Sequence, residues 1–393
     1  MVLDAPGEPA RALAVYVHWP FCRSKCPYCD FNSHVAAAPP DQARWRRALC
    51  AELRHFAGLA TDRTVVSMFF GGGTPSLMDP GTVAAVIDEA AGAWALDPTC
   101  EITLEANPNS AEAENFAGYR GAGVNRLSLG VQALDDAALA FLGRAHSADE
   151  AMRAIERAAR QFDNFSIDLI YARPGQTVAA WNRELKRALA LAGPHISAYQ
   201  LTLEPGTPFH RLAARGRLRL PGAELAAALF ETTRELCAAA GRPAYEVSNH
   251  ARPGFESHHN LVYWRGGDYV GIGPGAHGRL TGDDGRALAT RQIAAPKAWL
   301  AMVEAKGHAG EAMDPVAARE RADEMVMMGL RLSEGLDIDA VARRTGVAAS
   351  AILAPEPVER LIASGHLARD GPVIRATDKG VPVLNSVLAE LLG

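Results

Sequence analysis

The stretch His18 to His34, "HWPFCRSKCPYCDFNSH", gathers three of the chain's six cysteines into eight residues: Cys22, Cys26 and Cys29, spaced C-x3-C-x2-C with no fourth in reach. A disulfide framework belongs to small secreted chains, whereas this chain spreads six cysteines over 393 residues. Structural zinc needs a fourth thiolate or imidazole in tetrahedral array. His18 and His34 lie nearby, but the run does not have a zinc-knuckle spacing. An iron–sulfur cubane usually takes four cysteines, so three leave one iron open. An open metal position is where a small chelating molecule can bind. The other cysteines, Cys50, Cys100 and Cys237, fall in helical or strand-edge contexts and read as plain core or surface thiols.

From residue 13 onward, short β-branched runs alternate with Ala-rich segments of helical period, the pattern of βα units on a parallel sheet. The predicted strands are Leu13–His18, Thr64–Phe70, Glu101–Glu105, Arg126–Val131, Ser166–Tyr171 and Ile196–Leu203. Helices are expected near 41–58, 80–95, 111–121, 135–161, 177–192 and 223–240. Six such units make an open, partial barrel, whose function belongs at the C-terminal ends of its strands. Polar or glycine-rich segments recur there: "GGGTPS" (71–76), "EANP" (105–108), "GVQ" (130–132), Asp168 in "SIDLIYARPGQT", and "QLTLEPGTP" (200–208). Core packing alone does not ask for five of these. Gly71, Gly72 and Gly73 read as backbone left bare for close approach of a ligand. No G-K-[ST] follows, so this is not a phosphate loop.

With 48% apolar residues and a net charge of −5, the chain is expected to bury a large core and to exert no strong pull on nucleic acid. The N-terminal stretch has no basic, then apolar, export signal, and no run of about eighteen apolar residues predicts a membrane helix. Together with free thiols, this points to a cytoplasmic protein. From about Gly335 the tail reads helix, helix, strand, helix, like a winged helix. Its six Lys/Arg against seven Asp/Glu lack the footprint of a DNA reader. Met325, Met327 and Met328, just before it, read as core.

The cysteine spacing, with Tyr28 before the last cysteine and "GGGTP" after the second strand, resembles the signature of radical S-adenosylmethionine (SAM) enzymes. That resemblance implies a [4Fe–4S] cluster on Cys22, Cys26 and Cys29. SAM would chelate the open iron, and an electron from the cluster would cleave it to a 5′-deoxyadenosyl radical. It further implies that Gly72, Gly73 and Thr74 hold SAM's methionyl ammonium group, and that Tyr16, Tyr28, Glu105, Gln132, Arg144 and Asp168 contact SAM or a second ligand.

Farther on, "SHHNLVYWRGGDYVGIGPGAHG" (257–278) contains His259-Asn260-x-x-Tyr263-Trp264, a match to an HNxxYW motif. The match implies haem ligation by His259, with the aromatics offering apolar faces to a porphyrin. Over nearly the whole chain the motifs resemble the HemW-type radical SAM haem chaperones. The fold so implied is α/β: a partial (β/α)6 radical SAM barrel over 1–240, a capping and connecting segment over 241–334, and an α+β winged-helix-like domain over 335–393. Its implied partners are haem, haem-accepting proteins such as those of the respiratory chain, and an electron donor for the cluster. Oligomeric state is left open, a homodimer included.

The nearest alternative is the oxygen-independent coproporphyrinogen III oxidase. That enzyme typically has a further cysteine where this chain has Phe31, and a longer extension than the 21 residues before Cys22. A scaffold that binds haem or a partner without cleaving SAM also stays open. Ala172-Arg173 stand where many relatives have Gly-Leu, which puts the local contact there in question.

Overall fold

The computed structural model describes residues 12–282 and 284–393. The reading of an absent export signal falls largely on residues 1–11, outside the described residues. Six strands follow one another in space as in sequence, each parallel to the next: Ala12–Trp19, Thr64–Gly72, Ala95–Ala106, Arg126–Gln132, Asn164–Tyr171 and His195–Gln200. Alternation along each strand sorts the side chains. Leu13, Val15 and Val17 pack outward into the main core with Leu49, Leu53 and Val86 of the flanking helices. Tyr16 and His18, from the same strand, meet on its other face, where the hydroxyl bonds the imidazole.

The sheet is larger than six strands. Asp268–Ile272, inside the glycine-rich segment, pairs parallel to the first strand. Three antiparallel strands, His277–Thr281, Ala287–Gln292 and Gly310–Pro315, extend that side. Asn249–Ala251 closes the other edge. Among the described residues the sheet therefore has eleven strands and remains open.

Two expected helices are broken. The segment 111–121 gives Ser110–Ala113 and Phe116–Gly121, and 135–161 gives Asp136–Phe141 and Ala148–Gln161. In the second, Gly143 at φ 67 turns the chain out of the first helix. Ser147 and Glu150 then start the next one with a reciprocal capping box. Arg144 sits in the break.

The tail forms a three-stranded sheet, Leu336–Asp337, Val373–Ala376 and Leu367–Asp370 in spatial order, with helices Ile338–Thr345, Pro355–Ala363 and Leu384–Leu392. Its core takes in Ala322, Met325 and Val326 from the preceding helix Ala318–Gly329. Packing thus joins that helix to the tail, whereas a boundary at 335 separates them. Met327 and Met328 depart from expectation: they are 42% and 36% exposed, because the buried face of the helix is the stripe Ala322, Met325, Val326 and Gly329, and both methionines fall outside it. Among the described residues no helix is long and apolar enough to cross a membrane.

Candidate functional site

A cavity of about 650 Å³ opens at the C-terminal ends of the six strands. Every site residue named from the sequence lines it except Tyr16 and His259. The three cysteines, all partly exposed, stand on one loop at its mouth. That loop is pinned at its end by Asn32, whose amide donates to the Pro274 and Ala294 carbonyls, both at 2.9 Å. The Asn32 carbonyl accepts from His18 Nε2 at 2.9 Å, so Nε2 carries the proton and Nδ1 accepts from Tyr16 Oη at 3.0 Å. Burial pushes the His18 pKa down, keeping that imidazole neutral.

Gly72 and Gly73 of the glycine triplet line the cavity, and the cysteine loop also presses on both. A Cβ on Gly72 would lie 2.5 Å from the His18 ring, and the residue sits at φ 110. On Gly73 a Cβ would lie 2.7 Å from the Phe21 carbonyl oxygen. These two residues are glycine because the root of the cysteine loop packs directly on them. Only beyond them does Thr74 present a side chain, donating from Oγ1 to Cys22 Sγ at 3.4 Å.

Deeper in the cavity the strand ends supply carboxyl groups. Glu105 is pushed up to about 8, by burial first and then by the nearby Asp168, so it is mostly protonated at neutral pH. Asp168 is raised by burial, while hydroxyls of Ser128, at 3.0 Å, and Ser166, at 3.3 Å, donate to it and oppose the shift. Gln132 sits at φ 66 where the fourth strand's register slips, and its amide lies over Gly130. Non-glycine residues held in this conformation concentrate at functional sites. Arg144 reaches across the mouth, donating to Cys26 Sγ at 3.5 Å, Asn107 Oδ1 at 2.5 Å and the Gly130 carbonyl at 2.9 Å. Tyr28 packs toward Phe209 with ring centroids 6.4 Å apart, and burial raises its phenol pKa.

Two expectations fail on geometry. Tyr16 is not in the cavity wall; its hydroxyl is spent on His18. His259 is 1% exposed, with Nδ1 bonded to Ser67 Oγ at 3.0 Å and Nε2 to Tyr263 Oη at 2.7 Å, and burial pushes its pKa down to about 3. Both ring nitrogens are engaged, so this conformation offers none to an iron. The helix His258–Trp264 plugs the sheet's inner face, its start held by Glu101, which accepts from Ser257 Oγ and the His259 amide. Of the HNxxYW motif only Asn260 reaches the cavity. Arg173 makes no cavity contact either; it pairs with Glu184, which also accepts from the Leu134 amide.

Two further residues line the cavity without a sequence signal: Asn107, in an Asn-Pro step of the kind that marks turns, and Arg126, 2% exposed in the cavity floor with its Nε without a hydrogen-bond partner among the described residues.

The donor set fits an iron–sulfur cluster with an open iron. Among the described residues no three His, Cys, Asp or Glu side chains close on one point as a single metal ion requires. A cubane needs its thiolates spread over different irons, and three thiols around a cavity mouth suit that. The adjoining cavity, with its carboxyls, amides and backbone groups, suits a polar ligand such as SAM.

Residues 16–188 match the family model of the radical SAM superfamily, and residues 316–383 match that of the HemN C-terminal domain. The chain is 40% identical to the mitochondrial radical S-adenosyl methionine domain-containing protein 1 of Bos taurus, over 99% of this chain and 89% of the relative. It is 37% identical to the heme chaperone HemW of Escherichia coli, over 96% and 97%. The corresponding figures for the heme chaperone HemW of Mycobacterium tuberculosis are 36%, over 99% and 96%. In fold it resembles the solved coproporphyrinogen III oxidase HemN of Escherichia coli, with a TM-score of 0.80 at 22% identity, covering 98% of this chain and 90% of that one.

Proposed function

This chain belongs to the HemW-type radical SAM family, and from that premise we propose that it is a haem chaperone, binding haem and handing it to haem proteins. What carries the reading is the relationship to proteins named heme chaperone across nearly the full length of both chains. Cys22, Cys26 and Cys29 would hold a [4Fe–4S] cluster. Thr74, Glu105, Gln132, Arg144 and Asp168 would face SAM, with Gly72 and Gly73 shaping the pocket from behind. When bound, SAM on a reduced cluster supplies radical chemistry. The protein's own part is to keep the cluster loop fixed on Gly72 and Gly73, and to offer a neutral Glu105 and a hydrogen-bonded Asp168 to the ligand. In this reading the protein acts in the cytoplasm, draws its electron from a partner protein and makes no contact with nucleic acid.

The test combines haem titration of the anaerobically reconstituted protein, followed at the Soret band, with anaerobic incubation with coproporphyrinogen III, SAM and a reductant. Stoichiometric haem binding and no protoporphyrinogen IX are expected. Protoporphyrinogen IX formed over many turnovers would assign the chain to the oxidase instead. Absence of haem binding would remove the chaperone reading.

A further inference from the structure

Each cysteine of the loop has its own side-chain partner, and the three partners come from different parts of the fold. Thr74 Oγ1 donates to Cys22 Sγ at 3.4 Å, Arg144 Nη1 to Cys26 Sγ at 3.5 Å, and Ser33 Oγ lies 3.8 Å from Cys29 Sγ. Two of these donors are joined through a residue that touches no cysteine. Asn107 gives its amide N–H to Thr74 Oγ1 at 3.3 Å and takes Arg144 Nη2 on its carbonyl oxygen at 2.5 Å. The amide orientation follows from chemistry: a guanidinium only donates, so Oδ1 faces Arg144, and the hydroxyl that receives the Asn107 N–H is left to donate to sulfur. The result is one closed chain from Cys22 through Thr74, Asn107 and Arg144 to Cys26. Asn107 is itself fixed, since its backbone N–H donates to Glu112 Oε2 at 3.1 Å.

We propose that Asn107 is a positioning residue that aims Thr74 and Arg144 at two cluster sulfurs and thereby raises the reduction potential of the cluster. Hydrogen bonds and positive charge at cluster thiolates stabilise the reduced, more negative state. Arg144 contributes both, from the break between helices Asp136–Phe141 and Ala148–Gln161. Asn107 contributes neither directly. It holds the guanidinium and the hydroxyl in the one arrangement that serves both sulfurs. The proposal rests on the cluster reading of Cys22, Cys26 and Cys29.

The experiment is a redox titration of the reconstituted full chain, read by electron paramagnetic resonance of the reduced cluster, with iron and sulfide analysis of every sample. Wild type is compared with Asn107→Leu, Asn107→Ser, Arg144→Met and the double variant Asn107→Leu/Arg144→Met. The variants are expected to keep four irons and to show a reduced-to-oxidised ratio at fixed potential lowered about tenfold in Asn107→Leu, about 59 mV for one electron. Arg144→Met should shift at least as far, and the double variant hardly farther, because the two act as one unit. If Asn107→Leu loses iron, Asn107→Ser carries the same expectation. A four-iron Asn107 variant with the wild-type potential overturns the proposal, as does a double variant whose shift is the full sum of the two. Wild-type protein that holds no four-iron cluster overturns the cluster reading, a distinct result visible in the iron analysis alone.

Discussion

At the residue scale, the C-x3-C-x2-C spacing is the most legible feature, since local sequence alone brings three thiols together, and they stand at the cavity mouth. Residues whose part depends on what packs behind them were less legible. Gly72 is the clearest instance: bare backbone in sequence, it proves to be the seat of the His18 ring. Gly72→Val is therefore expected to disrupt the cysteine loop and cost iron as well as SAM binding, which iron analysis of the reconstituted variant checks; full iron content would show that the close contact is unimportant. Ala172 offers a milder test. It stands at φ 57, a conformation costly for any residue with a Cβ and natural to glycine. Ala172→Gly should leave stability unchanged or raise it by about 1 kcal/mol in denaturant unfolding, the strain relieved being partly offset by the freer unfolded chain. A loss of that size would mean that the alanine methyl earns its place in packing. Arg173 and Glu184 already satisfy the neighbouring turn.

At the scale of elements, the six parallel strands and most outer helices follow from alternation and helical period, whereas the additions to the sheet do not. Asp268–Ile272 hides in a glycine-rich run, and the antiparallel strands are short and half polar, so only pairing defines them. The helix break at 142–147 leaves no mark in the sequence pattern, because one apolar period continues across it. The break is functional geometry: a Cβ on Gly143 would meet Pro27 Cδ at 2.6 Å, against the cysteine loop. Gly143→Ala should destabilise the protein by about 1–2 kcal/mol and weaken iron retention, checked by chelator challenge. The plug helix His258–Trp264 makes a separate prediction. His259→Ala leaves the hydroxyls of Ser67 and Tyr263 unpaired in a buried gap, so it should cost about 2–4 kcal/mol of stability. A cost under about 0.5 kcal/mol would show the histidine to be dispensable to the plug and free for another task.

Across the whole molecule, buried titratable groups set a pH profile for the ligand-free protein. Burial pushes His146, His250 and His259 down to about 4, 4 and 3, so the native state binds fewer protons than the unfolded chain. Stability accordingly rises with pH until unfolded histidines are neutral, near about 6.5. Glu52 and Glu105 act in the opposite sense. Raised to about 7 and about 8, mainly by burial, they keep protons that the unfolded chain has already lost, and stability falls as pH climbs through those values. Thermal unfolding should therefore show a maximum near pH 6.5, with a decline of roughly 2 kcal/mol by pH 8 from Glu105 alone, absent in Glu105→Gln. A curve flat from pH 6.5 to 8.5 in the unaltered protein would contradict this. The most direct test of the central claim, an open four-iron cluster at the mouth of the barrel, is electron paramagnetic resonance of the reconstituted, reduced protein with and without SAM. A cubane signal is expected that changes when SAM is added and vanishes in Cys22→Ala, Cys26→Ala and Cys29→Ala. A signal indifferent to SAM, or one that survives loss of these cysteines, would contradict it.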